Sequence, residues 1–457
     1  MASMLDRTLS TAEMSEVFGD VALLQAMLDV EAALAAAEAD EGVIPAAAAA
    51  AIAAACTAPG FDVEAIVGEA RSAGSLVIPL VAHLRRRVAA ADPAAAGFVH
   101  RGSTSQDILD TAMVLATRRA LALVMADLDR LIDALLRLAD RQLATPTLAR
   151  TLLQPAQVIS FGLKVVAWAA PLVRSRERLR RAADEALLLQ FGGAVGTLAA
   201  LGSHADGVGQ RLAERLGIGR PEGAWHTQRD RWASLGCELA VLCGSLGKVG
   251  RDLALLAQGE VREVAEAAGT GRGGSSAMPN KRNPVAAMTA IAAATRAPHH
   301  AAALLAAMGQ AHERGLGDWQ AELAEWPALW LAAHGAVRAL ADAGPGLEVD
   351  AVRMRGNIEA ERGTVFAEAA ADVLATVIGR PAAHDLVARL SHEAVVQQGA
   401  RGHLRDLLLQ AVAGDPALQP VDAAALAAVF DIDAAAAHAG GVARIQLEAL
   451  RRGGDTP

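Results

Sequence analysis

The chain has 457 residues, 53% of them hydrophobic and only 3% aromatic, with no Tyr; much of the apolar fraction is Ala, which favours helix over strand. A net charge of −9 and a pI near 5.8 argue against a dedicated nucleic-acid surface, which carries a basic face, yet leave small acidic substrates open to local positive charge. Cys56, Cys237 and Cys243 lack zinc-ligand spacing and read as buried reduced thiols. With no charged-then-apolar leader, and no apolar run near the ~20 residues of a membrane span, the reading is a soluble cytoplasmic protein without nucleic-acid or membrane partners.

Along the chain, the Ala-rich run over 46–55 predicts a helix. A polar island follows at residues 99–112, "VHRGSTSQDILDTA". Thr104 and Ser105 precede a helical run and Asp107 stands three residues after Thr104, the spacing of a capping box. The free N–H groups of such a helix start also suit a carboxylate. His100, just before it, reads either as a satisfied structural histidine or as a pocket residue. Next, Val124, Leu128, Leu131, Leu135 and Leu138 recur at three- and four-residue steps with charged residues between, an apolar stripe with a wet face.

A second island, "RTLLQPAQVISFG" at 150–162, places Thr151 and Gln154 in an apolar setting; a turn before a helix accounts for it. Long helical segments are predicted from about Phe161 to Leu189, Trp232 to Glu266 and Pro284 to Met308. "FGGAVGTLAAL" (191–201) is glycine-rich, but no strand precedes it and the dinucleotide fingerprint is incomplete. The third island, "TGRGGSSAMPNKRNPVAAM" at 270–288, has Gly271, Gly273 and Gly274 for freedom and Pro279 and Pro284 for stiffness. That composition suits a surface loop, or a lid delivering Ser275 or Ser276 with Lys281 nearby to stabilise negative charge. His299-His300 and His312-Glu313 do not form a metal-binding pattern, and no metal is assigned. Few stretches alternate with period two and no repeat is seen. The expected architecture is all-α: an N-terminal helical domain over 1–110, a central bundle over 111–345 and a C-terminal helical domain over 346–457.

Taken together, the islands resemble the fumarase/aspartase superfamily. "GSSAMPNKRNP" is similar to its GSSxMPxKxNP signature, the first island to its TSxDxxxTA region and the second to its TxxQxA region. Within that superfamily, "FGGAVGTLAALG", "WHTQRDR" (225–231), "GSLGKVGRD" (244–252) and "AHERGLGDW" (311–319) resemble the 3-carboxy-cis,cis-muconate cycloisomerases. The resemblance implies a three-domain helical subunit, a homotetramer, and active sites each built from islands of three subunits, closing without a cofactor over a small polycarboxylate. It makes Ser275 the catalytic base, assisted by Lys281 and Asn283. Thr104, Ser105, Thr151 and Gln154 hold substrate carboxylates, and His100, His226, Gln228 and Arg314 are further pocket residues. The implied reaction is reversible lactonisation of 3-carboxy-cis,cis-muconate. The alternative is β-elimination from a substituted succinate of the nitrosuccinate, adenylosuccinate or argininosuccinate type. A third reading is a catalytically silent relative, against which stand intact Ser275, Lys281 and Asn283.

The pattern departs from many lyases of the superfamily at Leu152, which follows Thr151 where those enzymes carry a proton-transferring His. The cycloisomerases it resembles also lack that His, often carrying Trp, but some of them carry His after the Gln, where Pro155 stands here. An amine leaves badly unless protonated, whereas a carboxylate leaves readily as an anion. The missing His therefore favours lactone chemistry over amine elimination.

Overall fold

The computed structural model describes residues 4–267, 273–274, 277–278, 280–396 and 402–453. Among these the chain is all-α apart from two small antiparallel sheets. It forms two compact units, one of residues 1–128, 174–247 and 289–339, the other of 129–173, 248–288 and 340–457. Every boundary falls inside one of five long helices: Ser105–Arg141, Phe161–Ala186, Asp230–Leu256, Val285–Ala306 and Asp318–Ala343.

The predicted helices are present. Ala46–Ala55 is one. The stripe Val124, Leu128, Leu131, Leu135 and Leu138 is buried to 2% exposure or less, while Arg130, Asp133 and Arg137 are exposed. Two predicted ends run long: the segment taken to Leu189 stops at Ala186, and the one taken to Glu266 stops at Leu256. Helix formers continue past Leu256, but Gly259 interrupts them, and the Glu263 N–H turns back to the Leu256 carbonyl at 2.9 Å. The strand β3, Val264–Ala265, then pairs with β4, Glu348–Val349. Val264 is buried there, and its β-branched side chain suits a strand.

In the first unit the bundle helices approach closely at glycines. A Cβ on Gly236 would lie 2.5 Å from Leu304 and 3.3 Å from Trp326; one on Gly247 would lie 2.2 Å from the Ala294 Cβ. Trp232 and Trp326 stack at 3.9 Å, and the buried Trp326 indole donates to Thr117 Oγ1 at 2.8 Å.

The second unit corrects the reading of the 150–162 island, which is a β-hairpin rather than a turn before a helix. The strands β1, Pro146–Thr151, and β2, Gln154–Ser160, pair antiparallel with Thr151 opposite Gln154 and an irregularity at Ala149/Arg150. The two-residue turn is Leu-Leu instead of the Asn-Gly that announces such turns, and the irregular register blurs the alternation, so no strand signal reached the sequence. The hairpin's buried face, Leu148 and Val158, joins a core with Ile358, Leu374, Leu390 and Leu408. The start of the Val285–Ala306 helix is capped from afar: the Glu266 carboxylate accepts the N–H groups of Ala286 (3.1 Å) and Ala287 (3.0 Å).

Candidate active site

The first island forms the centre of a polar site in the first unit. Only half of its capping box closes. The Thr104 N–H donates to Asp107 Oδ2 at 3.0 Å, but the Thr104 hydroxyl is taken by Arg314 Nη1. Asp107, 1% exposed, gathers three further donors: the N–H groups of Gly192 (3.0 Å) and Gly193 (2.8 Å), and His226 Nε2 at 2.7 Å. Four donors on one buried carboxylate tie the helix start, the 191–198 turn and the WHTQRDR segment together. Gly193 sits at φ +66°, and a Cβ there would press the Gly102 carbonyl at 3.0 Å, so only glycine allows this approach. The glycines of "FGGAVG" thus present backbone N–H groups to a carboxylate of the protein.

Behind Asp107 lies a buried ion cluster. Arg229, 1% exposed, bonds Asp110 at 2.8 Å and also pairs with Glu322. Burial works against its charge, but the two carboxylates outweigh that and hold its pKa above the ordinary value. Asp110 also accepts from Trp319 Nε1 at 2.9 Å and from Gln106 Nε2 at 3.1 Å, while Arg229 lies 4.5 Å over the Trp225 ring. Gln106 Nε2 also donates to the His226 carbonyl at 2.9 Å, tying the cluster to that backbone, and removing either carboxylate leaves the buried cation with only the other to balance it.

His100 stands at the rim. Its backbone is left-handed at φ +63°, unusual for a residue with a Cβ. Its Nδ1 meets Glu31 Oε1 at 2.5 Å and Ser103 Oγ at 3.0 Å. The structure therefore brings together His100, Thr104, Ser105, His226 and Arg314 around one helix N-terminus with a dipole suited to anions. Gln228 is exposed beside the buried Arg229.

The remaining predicted residues belong to the second unit. Thr151 and Gln154 face each other across the hairpin turn, both exposed. Leu152 and Leu153 between them are 96% and 72% exposed, at φ +50° and +67°. Ser275 lies outside the described residues, as do Gly271, Ser276 and Pro279 of the expected lid. Lys281 is exposed, and its N–H bonds the Met278 carbonyl at 3.1 Å. The Asn283 side chain donates to the Gly274 carbonyl at 3.4 Å, and its N–H to the Gly273 carbonyl at 2.8 Å. Gly273, at φ +71°, leaves no room for a side chain: a Cβ would lie 2.6 Å from the Asn283 carbonyl.

Sequence reasoning passed over Glu31, Glu322 and the role of Arg229. Glu31 and Glu38 carried a signal, two acids seven residues apart in an apolar helix and so on one face. A groove of the first unit, about 1030 Å³, is lined by Phe18, Val21, Arg119, Arg296 and Pro327 among others and includes none of the predicted site residues.

Known proteins resemble this chain in sequence and fold. The lyase family profile covers residues 6–298. A 3-carboxy-cis,cis-muconate cycloisomerase of Bradyrhizobium diazoefficiens is 48% identical over 408 residues, covering 89% of this chain and 90% of its own. A nitrosuccinate lyase of Streptomyces davaonensis is 43% identical over 383 residues, covering 82% and 81%. The crystal structure of 3-carboxy-cis,cis-muconate lactonizing enzyme from Pseudomonas putida superposes with a TM-score of 0.90 at 41% identity, over 99% of this chain and all of that one. Matched over most of its length in sequence and fold, the chain belongs to the lyase family of the fumarase/aspartase superfamily.

Proposed function

We propose that the protein interconverts 3-carboxy-cis,cis-muconate and 4-carboxymuconolactone without a cofactor, as a cytoplasmic homotetramer. In lactonisation a carboxylate oxygen adds to one carbon of a double bond and a proton is delivered to the other, which lies α to a second carboxylate. In the reverse direction Ser275 takes that α-proton, Lys281 and Asn283 stabilise the developing charge, and the C–O bond breaks to release the carboxylate. Thr104, Ser105, Thr151 and Gln154 hold substrate carboxylates, with His100, His226, Gln228 and Arg314 around them.

The observation that carries this reading is the hairpin tip. Leu152 and Leu153 occupy it and neither can donate a proton. A departing carboxylate, whose conjugate acid titrates near ~4, does not need one. Nitrite does not need one either, and the 43% identity to a nitrosuccinate lyase favours that as the second reading. A substrate panel separates them. Loss of the muconate chromophore in the ultraviolet is expected with carboxymuconate, with aspartate, argininosuccinate and adenylosuccinate inert. Faster fumarate release from nitrosuccinate or any of those three overturns the assignment.

A further inference from the structure

The helix Asp20–Asp40 buries two carboxylates on one face, Glu31 and Glu38, each 1% exposed. Glu31 Oε1 faces His100 Nδ1 at 2.5 Å; its Oε2 and both oxygens of Glu38 have no hydrogen-bond partner. A buried carboxylate with one oxygen spent on an imidazole is costly unless the contact does something. His100 itself stands in a left-handed backbone, φ +63°, which is costly for a residue with a Cβ.

We infer that Glu31 is a positioning residue for His100. An ionised carboxylate only accepts, so Nδ1 carries the hydrogen and turns toward the helix, with Ser103 Oγ 3.0 Å away limiting rotation. That fixes the tautomer and leaves Nε2 as the ring nitrogen available to a ligand. Nε2 is bonded to no described residue, unlike His226 Nε2, which is spent on Asp107. Of the two histidines of the site, His100 is therefore the one with its outer nitrogen free for a substrate carboxylate, and Glu31 keeps it there. The inference rests on the proposed function only in taking a substrate carboxylate as what Nε2 meets.

Glu31→Met removes the acceptor at similar volume, and Glu31→Gln keeps one. With 3-carboxy-cis,cis-muconate, Glu31→Met is expected to raise KM about ten-fold or more, the scale of one lost charge-assisted hydrogen bond, with kcat little changed and Glu31→Gln recovering most of the loss. A fall in kcat at constant KM, the mark of a structural role alone, overturns the inference. A second arm uses no substrate. Diethylpyrocarbonate followed by peptide mass spectrometry is expected to mark His100 once and at similar rates in the parent and in Glu31→Gln, and more slowly in Glu31→Met, where Nε2 carries the hydrogen part of the time and its lone pair is less available. Equal marking rates in the parent and Glu31→Met overturn it. If the parent does not turn over carboxymuconate, the proposed function fails and the labelling arm alone decides the role of Glu31. Should Glu31→Met not fold, Glu31→Asp, which withdraws the acceptor by one methylene, replaces it in both arms.

Discussion

Glu38 shows how far one side chain can depart from its ordinary chemistry. Burial pushes its carboxyl from 4.5 up to about 8, with Arg101 opposing the shift and Glu31 adding to it. The folded protein therefore keeps a proton that the unfolded chain loses near 4.5. Unfolding releases that proton between these two values, so stability falls as pH rises across the window and the penalty is complete above about 8. Glu38→Gln is neutral throughout and escapes the penalty. Relative to the parent it is expected to gain roughly 3–5 kcal/mol between pH 4.5 and 8. Melting temperatures at pH 5, 6.5 and 8 check this; parent and variant curves that stay parallel refute it. The 2.5 Å contact between His100 and Glu31 spans 69 positions of sequence, which is why no local reading of "VHRGSTSQD" pairs them.

At the scale of elements, the β1–β2 hairpin is the feature least like its sequence. Leu152 and Leu153 both adopt left-handed backbone in a two-residue turn that Asn-Gly would fill without strain. Each pays about 1 kcal/mol or more for its Cβ. Replacing the pair by Asn-Gly is expected to stabilise the protein by about 2 kcal/mol, seen as a raised melting temperature. If the tip helps to form an active site, the same variant loses turnover of carboxymuconate, because strain retained at an exposed apolar tip belongs with function. A lowered melting temperature shows instead that the leucines are held by contacts worth more than the strain. The long helices, by contrast, follow their periodicity even through interior prolines at Pro171, Pro298 and Pro327, where packing outweighs the lost ladder bond.

At the scale of the whole molecule, the predicted site residues fall in two groups. His100, Thr104, Ser105, His226, Gln228 and Arg314 belong to one compact unit; Thr151, Gln154, Lys281 and Asn283 belong to the other. The reading that sites are shared between subunits of a tetramer makes two predictions. Light scattering is expected to give about four times the 46.9 kDa chain mass. Ser275→Ala alone is expected to lose roughly 10²-fold or more in turnover, the scale of a lost acid–base group, and Thr151→Val alone to be similarly impaired. Mixed and reassembled, the two variants are expected to regain activity, because hybrid assemblies contain sites with neither defect. A fully active monomer, or no recovery in verified hybrids, rules out shared sites.

The sequence by itself determined the helical class, because a 3.6-residue apolar repeat is written by neighbours three and four positions apart and survives any tertiary arrangement. It also determined the family, because "TSQD", "TLLQ" and "GSSAMPNKRNP" are contiguous strings whose chemistry depends on local spacing. Only the tertiary structure decided what each buried charge meets. Arg229 with Asp110 and Glu322, His226 with Asp107 and His100 with Glu31 join residues 119, 93, 119 and 69 positions apart. Such partners are selected by packing and by the cost of leaving a buried charge unpaired, neither of which has a period along the chain. The hairpin belongs with them: its turn residues advertise no turn, and it forms because Leu148 and Val158 complete a core with residues beyond position 350.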